Sequence, residues 1–322
     1  MKHMTRTTGL LAALAMTIAA CGGGGAGDEA TGDGDAADGG SLSEYDLSGV
    51  EYTVGSKDFD EQLVLGYLSV FALEEAGATV TDEVGLAGTA AAREALTSGE
   101  IDLYWEYNGT GWGIHLGNDL DPTELPENLT EEVATRDLEE NDIRWLEAAG
   151  FNNTYAFAVR EEAYDELGVT NITEMTELPP EDLSICVESE FATREDGLPG
   201  LEEFIGFDFP EPIVLDTGVV YTQTDQGECN FGEVFASDGR NAALGLTIIE
   251  DDVNFFPPYN PSVTIREEKY EEAPQVGDLF AEIAGALDLE TMTALNASVS
   301  ADGEFPEDVA RDFLVEQGFI SG

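Results

Sequence analysis

The chain has 322 residues, enough for two domains with cores of their own, and 42% of them are hydrophobic, as in ordinary globular proteins. It carries 12 Lys and Arg against 68 Asp and Glu, a formal net charge of −56. This charge excludes nucleic acid and anionic membrane surfaces as partners, because their phosphate groups would be repelled. We attribute the acidity to a solvated surface that keeps the protein soluble, above all at high salt, rather than to a specific partner.

The first residues are typical of an export signal. Lys2 and Arg6 precede an apolar run that is about half as long as the ~20 residues of a membrane span. The run ends in the motif IAAC, which resembles the bacterial lipoprotein signal-peptidase box. This predicts a lipoprotein signal peptide over residues 1–20 and lipidation of Cys21; the alternative is an ordinary signal peptide cut near the same place. Residues 21–45, rich in Gly, Asp and Ala, are predicted to be a flexible tether.

Strand and helix patterns alternate after the tether. Residues 51–54 favour a strand, and a helix with apolar residues at helical spacing follows from Phe59 to Gly77. A second strand, a helix that ends at Gly99 and a third strand come next. The third strand ends in Tyr107 and a turn that reads NGTG. The alternation predicts an α/β fold with largely parallel sheets.

Two segments of this first half have counterparts later in the chain. YTVGSKDF resembles SICVESEF, since each ends a strand with Ser, a polar residue and Phe. TSGEIDLYWEYNGTG resembles DQGECNFGEVFASDG, where Tyr107 and Phe235 each lie eight positions after a helix-ending glycine. We infer two duplicated α/β lobes, which bind ligands in the crevice beyond the carboxyl ends of their strands. The residues at these strand ends are Lys57, Tyr107, Thr110, Arg194 and Phe235.

The residues predicted at the crevice favour a ligand with a cation at one end and an acid at the other. Aromatic rings with no acid assigned to them suit a quaternary ammonium, which donates no hydrogen bond and is held by ring quadrupoles. Lys57, Arg194 and the hydroxyl of Thr110 suit a carboxylate, which Arg holds with two parallel hydrogen bonds. A betaine carries both groups. For either cation taken alone, a surface ion pair is the alternative.

From about Tyr52 to the C-terminus the chain resembles the substrate-binding proteins of glycine betaine, choline and carnitine ABC importers, in particular their lipid-anchored, osmoprotectant-binding branch. The resemblance rests on six motifs in order: VGSKDF, ALTSGEIDLYWEYNGTG, NNTYAFAV, ESEFATREDG, GEVFASDGRN and FFPPYNPSV. It implies a two-lobed, hinge-closing, periplasmic-binding-protein-like (type II) fold with a ligand cleft between the lobes. Lobe 1 is predicted to comprise residues 46–152 and 260–322, and lobe 2 residues 153–259.

The resemblance also implies roles for particular residues. Lys57, Thr110 and Arg194 would hold the ligand carboxylate, which favours a betaine over choline, so we expect Arg194→Ala to weaken betaine binding alone. The backbone around Asn153 would face the methyl groups. No cofactor is implied; the partners are a membrane permease and a separate ATPase, since the chain has no Walker-type motif. The implied aromatic cage consists of Tyr107, Tyr155, Tyr259 and Phe235, the last standing where the family usually has a tyrosine.

The cysteines and histidines limit other chemistries. Cys186 and Cys229 remain in an exported chain, where an even pair favours a disulfide over a catalytic thiol or a metal site. His3 and His115 are the only histidines, which excludes a multi-His zinc site, and we expect His115 at the surface. No catalytic or metal-binding residue is predicted. Three alternatives stay open: a choline- or carnitine-binding protein of the same type, an exported acid/base hydrolase, and a cell-surface protein with a vestigial cleft.

Overall fold

The computed structural model describes residues 39–322. The predicted signal peptide, the lipidation site and the tether up to residue 38 lie outside the described residues. The strands of the described part are β1 (Glu51–Lys57), β2 (Thr79–Leu86), β3 (Leu103–Tyr107), β4 (Ile143–Ala148), β5 (Tyr155–Arg160), β6 (Ile185–Glu188), β7 (Ile213–Leu215), β8 (Phe231–Phe235), β9 (Leu246–Ile248) and β10 (Pro261–Arg266).

Helices connect these strands and complete the C-terminal part of the chain. They are α1 (Asp60–Glu75), α2 (Gly88–Ser98), α3 (Asn108–Thr110), α4 (Leu129–Asn141), α5 (Glu161–Leu167), α6 (Ile172–Thr176), α7 (Leu198–Ile205), α8 (Thr217–Gln226), α9 (Arg240–Ala243), α10 (Glu267–Glu272), α11 (Val276–Ala286), α12 (Leu289–Ser300) and α13 (Pro306–Glu316). Short 3₁₀ turns lie at Ser41–Glu44 and Pro180–Asp182, and a π-helical segment at Gly111–His115.

The strands form two five-stranded sheets with the same plan, in the orders β2-β1-β3-β10-β4 and β7-β6-β8-β5-β9. In the first sheet β1 is parallel to β2 and β3, and β10 runs against β3 and β4. In the second sheet β6 is parallel to β7 and β8, and β5 runs against β8 and β9. Each sheet is therefore mixed, with one reversed strand, where the sequence predicted largely parallel pairing.

The two sheets place the duplicated segments at equivalent positions, because β1 and β3 correspond to β6 and β8. Gly99 and Gly227 end the helices before β3 and β8 with φ of 80° and 78°, a left-handed conformation that glycine adopts without a steric penalty. Strands of the first sheet come from residues 51–148 and 261–266, and strands of the second from residues 155–248. The α/β fold with two lobes follows from this arrangement; the residue boundaries of the lobes stay a prediction.

The folded domain begins before the predicted end of the tether at residue 45. Leu42 is fully buried, and its backbone N–H donates to the carbonyl of Phe319 at 3.0 Å. The hydroxyl of Tyr45 donates to Glu282 at 2.5 Å. An isolated leucine after a Gly- and Asp-rich stretch thus finds an apolar site near the C-terminus, and residues 41–45 belong to the domain.

The predicted NGTG turn after β3 is helical instead. Residues 108–110 form α3, which continues into the π-helical segment, and neither Gly109 nor Gly111 has a positive φ. A Cβ atom at Gly109 would lie 2.8 Å from the carbonyl oxygen of Pro258 and 2.9 Å from the ring of Tyr259. Glycine is required here for close packing of Tyr259 against α3 rather than for a sharp turn.

A disulfide joins Cys186 in β6 to Cys229 just before β8, with Cα atoms 5.7 Å apart. Within residues 39–322, no group of three or more His, Cys, Asp or Glu residues could hold a metal ion. No helix in that range is both long and apolar enough to cross a membrane.

Candidate functional site

A cavity of about 630 Å³ lies at the edge where residues of both sheets meet. Its walls include every residue that the sequence predicted for ligand binding. These are Lys57, Tyr107, Thr110, Asn153, Tyr155, Arg194, Phe235 and Tyr259. The predicted residues therefore line one cavity.

The reversed strands explain why distant residues meet at this edge. Tyr107 and Phe235 end the forward strands β3 and β8. Tyr155 begins the reversed strand β5 and pairs directly with Phe235. Tyr259 stands just before the reversed strand β10, whose first residue Pro261 pairs with Tyr107. The start of a reversed strand and the end of its forward neighbour lie side by side.

The rings form a continuous arc along the cavity. The centroid of Tyr155 lies 5.3 Å from that of Phe235 and 5.4 Å from that of Tyr259. Phe59 lies between Phe235 and Tyr107 and is stacked on both rings, with centroid distances of 5.5 Å and 6.3 Å. Phe59 is not predicted from the sequence as a cavity residue, because its spacing matches the apolar side of the following helix. Its position two residues after the end of β1 was the available signal.

Lys57 is paired with an acid that the sequence did not reveal. Its Nζ atom lies 2.7 Å from Oε1 of Glu106, and both side chains are almost fully buried. The other oxygen of Glu106 accepts from the hydroxyl of Tyr104 and lies 2.8 Å from Nε2 of His115. Burial disfavours the ionised carboxyl, but Lys57 and His115 together hold the pKa of Glu106 far below its ordinary value.

The prediction that His115 lies at the surface is wrong. Its side chain is only 3% exposed, because the π-helical segment turns it inward toward Glu106. Lys57 donates to this one carboxylate among the described residues, so two of its three N–H groups have no acceptor there. Those two donors are available at the cavity wall.

Arg194 is fully engaged within the protein. Its Nε and Nη2 atoms hold the two oxygens of Asp196, which has no solvent exposure. Its Nη1 atom donates to Thr89 and to Glu190, and Nη2 also donates to Thr110 at 3.2 Å. All five N–H groups of the guanidinium are thus used. The hydroxyl of Thr110 accepts from Arg194 and, within residues 39–322, donates to no other group.

The cavity wall also carries carboxylates, contrary to the expectation that the rings had no acid near them. Arg240, a further cation of the wall that was not predicted from the sequence, is held by Asp238 and Asp60. Burial raises the pKa of Glu188, opposed by backbone hydrogen bonds from residues 190 and 191. Because acids outnumber cations along this wall, its field attracts a positive ligand group. The acids on the wall are Asp58, Asp60, Glu188, Glu190 and Asp216.

Asn153 is held by internal hydrogen bonds. Its backbone N–H donates to the carbonyl of Tyr259 at 3.1 Å. Its side-chain amide contacts Glu61 and Ser237 at 2.8 and 2.7 Å. The predicted contact of its backbone with the ligand methyls stays a prediction, while its side chain supports the wall behind the rings.

The chain matches the family described as the substrate-binding domain of ABC-type glycine betaine transport systems over residues 50–316. The glycine-betaine-binding protein of Pseudomonas aeruginosa is 33% identical over 281 residues, covering 83% of this chain and 88% of that protein. Glycine betaine-binding protein YehZ of Escherichia coli is 31% identical over 275 residues, covering 83% and 90%. The solved apo structure of YehZ superposes with a TM-score of 0.63 at 31% identity, covering 84% of this chain and 99% of that one.

These matches confirm the family and the type II periplasmic-binding-protein fold that the motifs predicted. The family match extends over both sheets and over every residue of the cavity wall, since all of these lie within residues 50–316. The chain belongs to the substrate-binding domains of ABC-type glycine betaine transport systems.

Proposed function

We propose that the cavity binds glycine betaine or a similar betaine, which the protein encloses by hinge closure and delivers to a membrane permease. The observation that carries the proposal is the arc of five rings on the same cavity wall as Lys57 and Thr110. A separate ATPase would drive transport. Relatives named for binding glycine betaine support this choice of ligand.

The trimethylammonium group would lie against the rings. A quaternary ammonium has no N–H to donate, so a ring face at ~0.5–2 kcal/mol each is its main source of affinity. Tyr155 is 6% exposed and Tyr259 3% exposed, so each presents little more than one face to the cavity. Phe235 keeps this function without a hydroxyl. Glu188 and Glu190 on the same wall add attraction for the cation.

The carboxylate would be held by Lys57 and Thr110. Lys57 has two N–H groups and Thr110 one O–H group for which the described residues provide no acceptor. Arg194 would not contact the ligand directly. It would orient the hydroxyl of Thr110, and its positive charge would attract the carboxylate. A direct contact with Arg194 would need the ligand to replace Glu190, the more exposed of its acid partners at 34% of the side chain.

Choline and carnitine are the alternatives of the same type. Choline has no carboxylate and would leave the donors of Lys57 and Thr110 without a partner, which costs free energy at a buried site. Carnitine is a longer betaine, and the cavity volume of about 630 Å³ leaves room for it.

A titration series separates the two ends of the ligand. We expect glycine betaine to bind with one site, choline to bind at least tenfold more weakly, and 3,3-dimethylbutyrate to bind at least tenfold more weakly as well. The last compound keeps the shape and the carboxylate of glycine betaine but has carbon in place of the charged nitrogen. Isothermal titration calorimetry measures all three. Equal affinity for glycine betaine and 3,3-dimethylbutyrate would overturn the cation–π assignment.

We propose further that the protein binds without chemical turnover. The betaine recovered after prolonged incubation should be unchanged, as judged by proton NMR. Hydrolysis or demethylation of a bound compound would instead favour the exported enzyme.

We also propose that the protein is exported and anchored through a lipid on Cys21. The apolar run before IAAC and the acidic, Gly-rich segment after it support this proposal. We expect wild-type protein expressed in bacterial cells to incorporate labelled palmitate and to sediment with membranes. Cys21→Ser should abolish the label. Labelling of Cys21→Ser at the wild-type level would contradict the anchor.

A further inference from the structure

A buried glutamate, Glu61, lies directly behind the aromatic arc and does not line the ligand cavity. Glu61, in the first turn of α1, is 4% exposed. Its Oε1 atom lies 2.8 Å from the hydroxyl of Tyr107 and 2.8 Å from Nδ2 of Asn153. Its Oε2 atom lies 2.5 Å from Oγ of Ser237 and 2.8 Å from Nδ2 of Asn296. Glu61 therefore joins a ring on the first sheet to a serine that follows β8 of the second sheet.

A count of hydrogens, inferred from the distances between heavy atoms, predicts that this carboxyl is protonated. Glu61, Asn153 and Ser237 form a closed ring of three contacts, at 2.8, 2.7 and 2.5 Å, and each contact needs one hydrogen. The serine hydroxyl supplies one, and the amide of Asn153 supplies one in either of its two orientations. The third hydrogen must come from Glu61. Tyr107 and Asn296 donate their own hydrogens to the same carboxyl and do not change the count.

The surroundings of Glu61 agree with a neutral acid. Burial raises its pKa, hydrogen bonds from Ser237, Asn296 and Tyr107 oppose the rise, and the charge of Asp238 adds to it. A small pocket lies beside Glu61, and in the described chain its charged lining residues besides Glu61 and Asp238 are Asp60 and Arg240. Arg240 is already held by Asp238 and Asp60. Within residues 39–322, no cation pairs with Glu61 to stabilise its ionised form.

We propose that Glu61 is a positioning residue that takes up one proton when the two lobes close on a ligand, and that in this neutral form it holds Tyr107 and Ser237 together. The proposal rests on the proposed function, since it assigns the closed arrangement to the ligand-bound protein. In the open arrangement Ser237 withdraws with its lobe and water replaces it, which lowers the pKa of Glu61. Glu61 still lies beneath Tyr107 in the first turn of α1 and stays partly desolvated, so this open-state pKa remains above that of the unfolded chain. Ligand binding and proton uptake are then linked at one site.

The sign of the linkage follows from the two states. The pKa of Glu61 is higher in the closed state than in the open state, so affinity is greatest below the open-state pKa. As the pH rises from there toward the closed-state pKa, affinity falls, by up to tenfold per pH unit. Above the closed-state pKa it no longer changes.

Glu61→Gln is the decisive variant, because it supplies the third hydrogen permanently. With the amide of Asn153 turned over, Nε2 of the new side chain donates to Asn153 and Tyr107, and its oxygen accepts from Ser237 and Asn296. The ring is thus complete without a titratable proton. Glu140→Gln, on an exposed helix side where Glu140 pairs with Arg136, is the matched control.

The test is calorimetric titration with glycine betaine in two buffers that differ in ionisation enthalpy, from pH 5 to pH 9. We expect wild type and Glu140→Gln to take up a proton and to lose affinity as pH rises. Glu61→Gln should take up none and keep its affinity within about threefold over that range. Equal proton uptake by Glu61→Gln and wild type, or no proton uptake by either, would overturn the role of Glu61.

A ligand-free measurement separates this inference from the proposed function. A carboxyl whose pKa is raised by folding stabilises the protein fully below its unfolded pKa, and this stabilisation is lost as pH rises through the folded pKa. In urea unfolding, Glu61→Gln should therefore gain stability relative to wild type as pH rises. If wild type bound no betaine but this difference appeared, the proposed function would fail while the proton on Glu61 stood. A stability difference between Glu61→Gln and wild type that did not change with pH would contradict protonation of Glu61, whether or not the protein binds betaine.

Discussion

Lys57→Met should destabilise the protein by about 3–5 kcal/mol at pH 7, because it leaves the carboxylate of Glu106 buried without its cation. The side chain of Glu106 has no solvent exposure, and Lys57 lies 2.7 Å from it. Methionine has a similar length, so the change removes charge rather than volume. The free energy of unfolding in urea measures the loss, and far-UV circular dichroism shows whether the variant remains folded.

The pH dependence of this loss has a definite sign. In wild type the pKa of Glu106 is lowered, so its contribution is present above the unfolded pKa and is lost as pH falls. Without Lys57 the buried carboxyl prefers to be neutral, and its pKa rises. The difference in stability between wild type and Lys57→Met should therefore shrink between pH 7 and pH 5. A difference that grew as the pH fell would contradict the pairing.

Lys57→Met/Glu106→Gln is the control, since it removes the negative charge of Glu106 together with the cation of Lys57. We expect it to recover most of the lost stability, because replacing both partners costs far less than replacing one. It also provides a folded background for ligand binding. Glycine betaine should bind this double variant about tenfold or more weakly than wild type, whereas choline should change little. An equal loss of affinity for both ligands would show that Lys57 does not contact the ligand carboxylate.

The positions of the site residues could be predicted from the sequence because they depend on strand ends. Tyr107 and Phe235 each follow a helix-ending glycine by eight residues, and that spacing brings both to one edge of equivalent strands. Tyr155 and Tyr259 could be placed only through the motifs around them. Tyr155 begins β5 and Tyr259 stands just before β10, and both strands are reversed, which strand patterns alone do not show.

The electrostatic partners could not be predicted, for a physical reason. With 68 acidic residues, any cation has many possible partners, and composition does not choose among them. Lys57 pairs across 49 positions with Glu106, whereas Arg194 pairs with Asp196 only two positions away. The sequence offers no functional signal for Glu61 beyond an acid near a helix start, and only the packing of α1 beneath Tyr107 gives it a role.

Arg194→Ala should weaken the binding of both glycine betaine and choline. This revises the expectation from the sequence that the substitution weakens betaine binding alone. Arg194 holds the fully buried Asp196, and Asp196 in turn accepts from the hydroxyl of Tyr259 at 2.9 Å. Removing the guanidinium leaves an unpaired buried carboxylate beneath a cage ring. We expect a loss of about 3–5 kcal/mol in stability and a displaced Tyr259.

Arg194→Ala/Asp196→Asn distinguishes the charge of Arg194 from its support of the cage. The asparagine oxygen can still accept from Tyr259, and no buried charge remains, so urea unfolding should show most of the stability regained. Calorimetry should then find choline within about threefold of its wild-type affinity, because the ring is back in place. Glycine betaine should stay about tenfold or more weaker, since Thr110 has lost the group that orients it and the site has lost a positive charge. If the double variant regained its affinity for both ligands, Arg194 would serve only to support the aromatic cage. If it regained affinity for neither ligand, the position of Tyr259 would not depend on Asp196.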